Sequence, residues 1–188
     1  MNSTPTVIGI TGPFGSGKST AASLLEKKGF TRITLSSFLE EELNKNGKEI
    51  TRQNLQDLGN VWREEFGSGV LAKKANEYIL KNSLEKVTID GIRNLGEVEE
   101  FKKSSKFVLL GIVADRDVRF ERVRKLKTRE NLTKELFDSL DMRDLGITED
   151  KKTGLQVAKC LAISDFFVNS NSEEEFKNKI EEFLNKIW

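Results

Sequence analysis

GPFGSGKS, from Gly12 to Ser19, decides the fold of this chain, because it fits the phosphate-binding pattern of Gly, four residues, Gly, Lys and Ser or Thr. Three glycines, Gly12, Gly15 and Gly17, let the backbone curl so that successive N–H groups point inward at an anion, and a helix beginning near Lys18 adds the positive end of its dipole. Lys18 is then placed to reach β and γ phosphates, and Ser19 to offer a hydroxyl to the magnesium that accompanies them. The flanks agree. TVIGIT, Thr6 to Thr11, reads as a buried parallel strand, and Ser19 to Lys28 puts Ala22, Leu24 and Leu25 on one helical face.

Composition bounds the rest. The chain has 188 residues with 37% apolar content, enough to bury a core as one domain. Thirty-one basic against 30 acidic side chains leave a net charge of +1, so no global field recruits nucleic acid or an anionic membrane, and neither is expected as a partner. No run approaches the roughly 18 apolar residues of a membrane span, and the start MNSTPTV lacks the basic flank and apolar core of a signal peptide, so a cytoplasmic protein is expected. The single cysteine, Cys160, sits at helical spacing among Leu155, Ala158 and Leu161 and reads as a core residue. With no histidine, a Ser–His triad, a histidine base and a histidine zinc site are excluded. The remaining inventory of carboxylates, Lys, Arg, backbone dipoles and Mg²⁺ suits phosphoryl transfer.

Strands and helices alternate without linkers or repeats. The expected strands are Thr6 to Thr11, Thr31 to Leu35, Lys86 to Asp90, Phe107 to Ala114 and Phe166 to Asn169, with helical periodicity between them. This alternation predicts an α/β fold with a parallel sheet covered on both faces and a ligand at the carboxyl ends of the strands. SEEE, Ser172 to Glu175, reads as a capping box opening a last helix with Phe176, Ile180, Phe183 and Ile187 on one stripe. Two intervals exceed what a crossover needs. Residues 36–83 are mostly helical, with Thr51 as an N-cap, and residues 115–146 are dense in charge; an acceptor lobe and a closing lid are expected there.

VTIDGIRN, Val87 to Asn94, carries the next chemical signal. An apolar strand ending in Asp90 brings a carboxylate to the sheet edge beside the phosphate loop, where it can hold a water on Mg²⁺. Arg93 would project toward the same cleft with a fork that matches phosphate oxygens. In DRDVRFERVRKLKTRE, Arg116, Arg119, Arg122, Arg124, Lys125, Lys127 and Arg129 make a locally basic stretch in a neutral protein, and Arg119 and Arg122 share a helical face. As a group they are candidates for cations that stabilise a transferring phosphoryl group.

ITGPFGSGKST, LSSFLEEEL, DGIRNLGEVEEF and SDFFVNSNSEEEF occur in an order and spacing that resembles P-loop kinases of the nucleoside monophosphate kinase and dephospho-CoA kinase group. The segment RQNLQDLGNVWREEFG, Arg52 to Gly67, is most similar to the acceptor lobe of phage-type deoxynucleoside monophosphate kinases and of archaeal dephospho-CoA kinase-like proteins. The resemblance implies a three-layer P-loop NTPase fold, its five-stranded parallel sheet ordered 2-3-1-4-5. It implies ATP on Gly12, Pro13, Phe14, Gly15, Ser16, Gly17, Lys18, Ser19 and Thr20, with Asn169 near the adenine, and Mg²⁺ at Ser19 and Asp90. It places an acceptor near Ser37, Arg52, Gln56, Arg63 and Arg93, with Lys18 and the lid arginines Arg119, Arg122, Arg129 and Arg143 serving catalysis.

Two positions depart from that group. Adenylate-type members carry an arginine just after the second strand where this chain has Glu40, and dephospho-CoA kinases carry an aspartate near the end of that strand where it reads Ser36 and Ser37. A phosphate acceptor is already an anionic nucleophile, whereas a hydroxyl acceptor benefits from a base. The expected activity is therefore ATP- and Mg²⁺-dependent phosphorylation of a nucleoside or deoxynucleoside monophosphate by a monomer or homodimer. The alternatives are a dephospho-CoA kinase and an ATP-driven switch acting on a protein or RNA.

Overall fold

The computed structural model describes residues 4–126, 132–148 and 151–187. Its first strand, β1 (Thr6–Thr11), leads through the glycine-rich loop into helix α1 (Lys18–Glu26), then β2 (Thr31–Thr34). Helices α2 (Leu35–Lys45), α3 (Arg52–Phe66) and α4 (Val70–Lys81) precede β3 (Lys86–Ile92), and α5 (Leu95–Ser104) precedes β4 (Lys106–Val113). A second helical excursion, α6 (Arg116–Leu126), α7 (Lys134–Leu145) and α8 (Val157–Ala162), precedes β5 (Phe166–Asn169) and the last helix, α9 (Glu173–Ile187).

The sheet is parallel and runs β2-β3-β1-β4-β5, the expected order. Central β1 pairs on both sides, Thr6 opposite Lys86 of β3 and Lys106 of β4. Alternation along it sends Val7 to one face and Ile8 and Ile10 to the other. Val7 joins a core with Ile89, Leu39, Leu71, Ile79 and Phe101, under α2 to α5. Ile8 and Ile10 join Ala22, Leu25, Phe176, Ile180 and Phe183, under α1 and α9. Burying each such aliphatic or aromatic side chain stabilises the fold by about 1.5–3 kcal/mol, which is why this strand carries no polar alternation. Cys160 lies in the first core, its thiol pushed up by burial, as its apolar setting predicts.

Local chemistry sets several helix starts. Thr51 caps α3 by accepting from Asn54 N at 3.1 Å, and Thr133 caps α7 by accepting from Leu136 N at 3.2 Å. Ser172 accepts from Glu175 N at 3.4 Å before α9, whose buried stripe is Phe176, Ile180, Phe183 and Leu184. A full capping box stands elsewhere, at Asn94 and Glu97 of α5.

The third strand runs two residues past Asp90. Its pairing with β1 shifts register there, Ile10 facing Asp90 and Thr11 facing Ile92, so Gly91 is an extra residue. Gly91 takes a φ of +97°, a left-handed conformation costly to other residues, and the resulting bulge re-aims the chain at the sheet edge. Thr11 Oγ1 closes the irregularity by donating to Ile92 O at 2.9 Å. Among the described residues, no helix is long and apolar enough to cross a membrane.

Candidate functional site

The carboxyl ends of β1, β2 and β3 open into a cleft of about 760 Å³. Its floor is the loop between β1 and α1, and Phe14, Gly15, Ser16, Gly17, Lys18, Ser19 and Thr20 all line it. Gly12 and Pro13 lie beneath, buried. At Gly12 the φ is +152°, and a Cβ would sit 2.2 Å from Ile112 O, so the loop can leave the sheet this closely only without a side chain.

Tertiary contacts hold the loop from three directions. Ser170 Oγ donates to Ser16 O at 2.7 Å, and Arg119 Nη1 donates to Phe14 O at 2.9 Å. Lys18 Nζ folds over the loop and donates to Gly12 O at 2.7 Å and Pro13 O at 2.9 Å. Burial pulls the Lys18 ammonium from 10.5 down to about 7; Asp144 and Asp90 oppose that fall, while Arg93 and Arg52 deepen it. An ammonium so placed gains most from an arriving anion.

Ser19 Oγ, on the first turn of α1, donates to Asp90 Oδ2 at 3.0 Å. One hydroxyl and one carboxylate side by side beneath a phosphate loop suit Mg²⁺, which keeps several waters and takes its other ligands from phosphates. No cluster of three or more metal-ligating side chains occurs among the described residues, so a metal here would depend on those phosphates. Asp90 Oδ2 also accepts from Arg32 Nη2 at 2.5 Å, and Arg32 lines the cleft. No motif in the sequence singles out Arg32. Its available signal was a lone arginine inside TRIT, an otherwise half-buried strand.

Across from the loop, the cleft wall presents Arg52 and Arg93 with Thr34, Ser36, Ser37 and Glu40. Arg52 lies over the Phe14 ring at 4.3 Å and pairs with Asp144 at 2.9 Å, while Arg93 reaches the same carboxylate at 3.4 Å. Glu40 accepts from Ser36 Oγ at 3.0 Å, whereas Glu41 turns away to Lys45 at 2.8 Å.

The other predicted acceptor residues lie apart from the cleft. Arg63 is 2% exposed and donates Nε and Nη2 to Glu97 Oε1 at 3.3 and 3.2 Å. Glu97 Oε2 accepts from Arg93 N and Asn94 N, so this buried carboxylate ties α3 to the turn that carries Arg93. Gln56 donates to Leu140 O at 3.3 Å. Both side chains line a separate small cavity of about 20 Å³ with Leu39, Leu55 and Leu155, and it shares Ser36, Arg52 and Arg93 with the cleft wall.

The expected lid arginines also divide. Arg122 lines the cleft and donates Nη1 to Ser170 Oγ at 2.9 Å and Nη2 to Ser170 O. Arg119 is buried beside it in a bidentate pair with Asp141, at 2.5 and 3.0 Å, and braces the loop from behind. Arg143 pairs with Asp57 at 2.7 Å, outside the cleft. Arg129 lies outside the described residues. Asn169 is exposed and accepts from Asn171 N at 2.8 Å; its neighbour Ser170 makes the contact with the loop.

Residues 8–143 match the AAA domain family. The chain is similar to a UPF0200 protein of Sulfurisphaera tokodaii, 35% identical over 182 residues that cover 96% of this chain and 97% of the relative. A UPF0200 protein of Methanocaldococcus jannaschii is 32% identical over 185 residues, covering 96% and 90%. In fold the chain is similar to a putative kinase from Chloroflexus aurantiacus, with a TM-score of 0.61 at 17% identity and 97% and 95% covered. It is likewise similar to a shikimate kinase from Bacteroides thetaiotaomicron, with a TM-score of 0.60 at 18% identity and 97% and 98% covered. Identity sustained over nearly the whole of both chains, on a P-loop kinase fold, places this chain in the UPF0200 family, with its AAA domain at residues 8–143.

Proposed function

We propose that this UPF0200 protein is an ATP- and Mg²⁺-dependent phosphotransferase that moves the γ-phosphoryl group to a nucleoside or deoxynucleoside monophosphate. One observation carries the reading: the Lys18 loop, with Ser19 and Asp90 3.0 Å apart, shares a single cleft with the two arginines Arg52 and Arg93. Neighbours of like fold are by name kinases, which agrees with it.

The loop N–H groups and Lys18 hold the β and γ phosphates. Bound at Ser19 and Asp90, Mg²⁺ would supply Lewis-acid neutralisation of the same oxygens. Arg52 and Arg93 gather the acceptor phosphate and align one of its oxygens with the γ phosphorus. That oxygen bonds to phosphorus as the bond to the β-phosphate oxygen breaks, leaving ADP. Arg122, on the cleft, faces the charge that moves, and Arg119 keeps the loop in register behind it.

A second reading has its own observation. Glu40 lines the cleft, the position from which a carboxylate can take a proton from a hydroxyl acceptor such as dephospho-CoA. A coupled ADP-release assay separates the readings, run with nucleoside monophosphates, nucleosides, dephospho-CoA and no acceptor. Monophosphates should be the fastest substrates. Turnover of dephospho-CoA that is lost in Glu40→Gln would replace the first reading by the second. Equal ATP consumption without any acceptor would replace both by an ATP-driven switch.

A further inference from the structure

Asp144, on the last turn of α7, has no exposed side-chain surface, yet the arginines that meet it do, Arg52 by 12% and Arg93 by 16%. The carboxylate stands behind the cleft wall and the guanidinium groups stand in front of it. Burial alone would raise the Asp144 carboxyl, but Arg52, Arg93 and Lys18 together hold it below its ordinary value. A buried carboxylate that stays charged holds both cations against it by charge, Arg52 Nη2 at 2.9 Å from one oxygen and Arg93 Nε at 3.4 Å from the other. Arg52 is further constrained on its face by the Phe14 ring.

We propose that Asp144 is a positioning residue, whose carboxylate sets Arg52 and Arg93 together on the cleft wall so that the two guanidinium groups form the anchor for the anionic group of the acceptor. This rests on the phosphotransferase reading above. Asp144 touches neither substrate; it acts through the two arginines. The sequence carries it as RDLG, Arg143 to Gly146, with no sign that residue 144 would meet residues 52 and 93.

The test is a double-mutant cycle with Arg52→Gln and Asp144→Asn in the full chain. Asp144→Asn should raise the KM for the nucleoside monophosphate about tenfold or more, the loss expected for one misplaced charged partner, and by more than it raises the KM for ATP, which Asp144 reaches only through its charge on Lys18. In the Arg52→Gln background the same change should matter less, because one of its two partners is already gone and only Arg93 is left to misalign. Independent effects that multiply would overturn the proposal. So would a lowered acceptor KM, which would mean that the carboxylate competes with the acceptor. Should Asp144→Asn alone fail to fold, Arg52→Gln against the double variant decides, since the double variant removes both halves of a buried pair.

A binding arm works without turnover. With the loop saturated by a non-hydrolysable ATP analogue and Mg²⁺, inorganic phosphate titrated calorimetrically should bind about tenfold more weakly to Asp144→Asn than to the unmodified protein. Unchanged phosphate affinity would overturn the positioning role. Absence of any monophosphate turnover by the unmodified protein would instead overturn the reading on which it rests, leaving this arm to judge Asp144 by itself.

Discussion

The two helical excursions from the sheet are held by different forces. Between β2 and β3, helices α2 to α4 bury Leu35, Leu39, Leu43, Leu55, Val70, Leu71, Ala72, Ala75 and Ile79 in one continuous core. Between β4 and β5, the described buried side chains are Arg119 on α6, Phe137, Leu140, Asp141 and Asp144 on α7, and Leu155, Gln156, Val157 and Cys160 at α8, so buried charge is mixed with apolar packing. Here carboxylates meet arginines. Asp141 takes Arg119, Asp144 takes Arg52 and Arg93, and Asp138 takes Arg116 at 3.0 Å. Apolar burial is non-directional and indifferent to phosphate, so the first excursion is a platform. Ion pairs are directional, so the second excursion also fixes where its arginine partners stand.

The largest effect should come where both excursions meet the loop. Lys18→Met keeps the stem and removes the charge, and turnover should fall by about a thousandfold, near 4 kcal/mol of transition-state stabilisation. The unfolding midpoint should hold or rise, since a desolvated ammonium is removed. A variant with near-native turnover would end the assignment of the cleft.

The contrast between excursions is broken or sharpened by a pair of truncations. Leu71→Ala should cost about 3 kcal/mol in urea unfolding, through lost burial and a residual cavity. Arg116→Ala should cost less than about 1 kcal/mol, because its pair with Asp138 is exposed on both sides and the buried Asp141, 3.8 Å from it, keeps Arg119. Equal costs would show that charge fastens the second excursion as firmly as hydrophobic packing fastens the first.

A smaller effect belongs to Asp90, at the sheet edge between them. Asp90→Asn keeps the size but not the charge, and the Mg²⁺ concentration for half activity should rise about tenfold. Unchanged magnesium dependence would return Asp90 to holding Arg32 and Ser19.

The smallest effect is a proton. With Lys18 at about 7 in the folded protein against 10.5 ordinarily, the unfolded chain holds a proton between those values that the folded chain has released. Stability from this residue therefore rises with pH across that window and is flat below it. A triphosphate favours the ammonium, so ATP binding at pH 8 should take up about one proton, read by calorimetry in two buffers of different ionisation heat. Uptake should vanish in Lys18→Met. Binding without proton uptake in the unmodified protein would show that burial does not discharge Lys18.

Much of the fold was legible because its signals are local. The phosphate loop, the apolar runs of the five strands and the Thr51 cap each need only neighbouring residues to be recognised. The capping box at Asn94 was equally local, an Asn three residues before a Glu, and its second task was not: Glu97 also takes Arg63 from α3. That pairing is why Arg63, expected at the acceptor, lies in the interior. Arginine is chemically the same residue in a cleft or in a core, and only its partner separates the two.

The amino-acid sequence by itself determined the anion-binding loop, the alternation that makes a parallel α/β sheet, and a chemistry without histidine, since backbone curvature, apolar period and side-chain type are properties of short segments. Only the tertiary structure decided which charges reach the cleft. Arg32, Arg52, Arg93 and Arg122 line it, Arg63 and Arg119 are buried on carboxylates, and Arg143 pairs with Asp57. The physical reason is that a buried charge needs a partner, and those partners, Glu97, Asp141 and Asp144, come from segments 22 to 92 residues away that meet only in the folded chain, Asp144 alone among them joining the two excursions through Arg52.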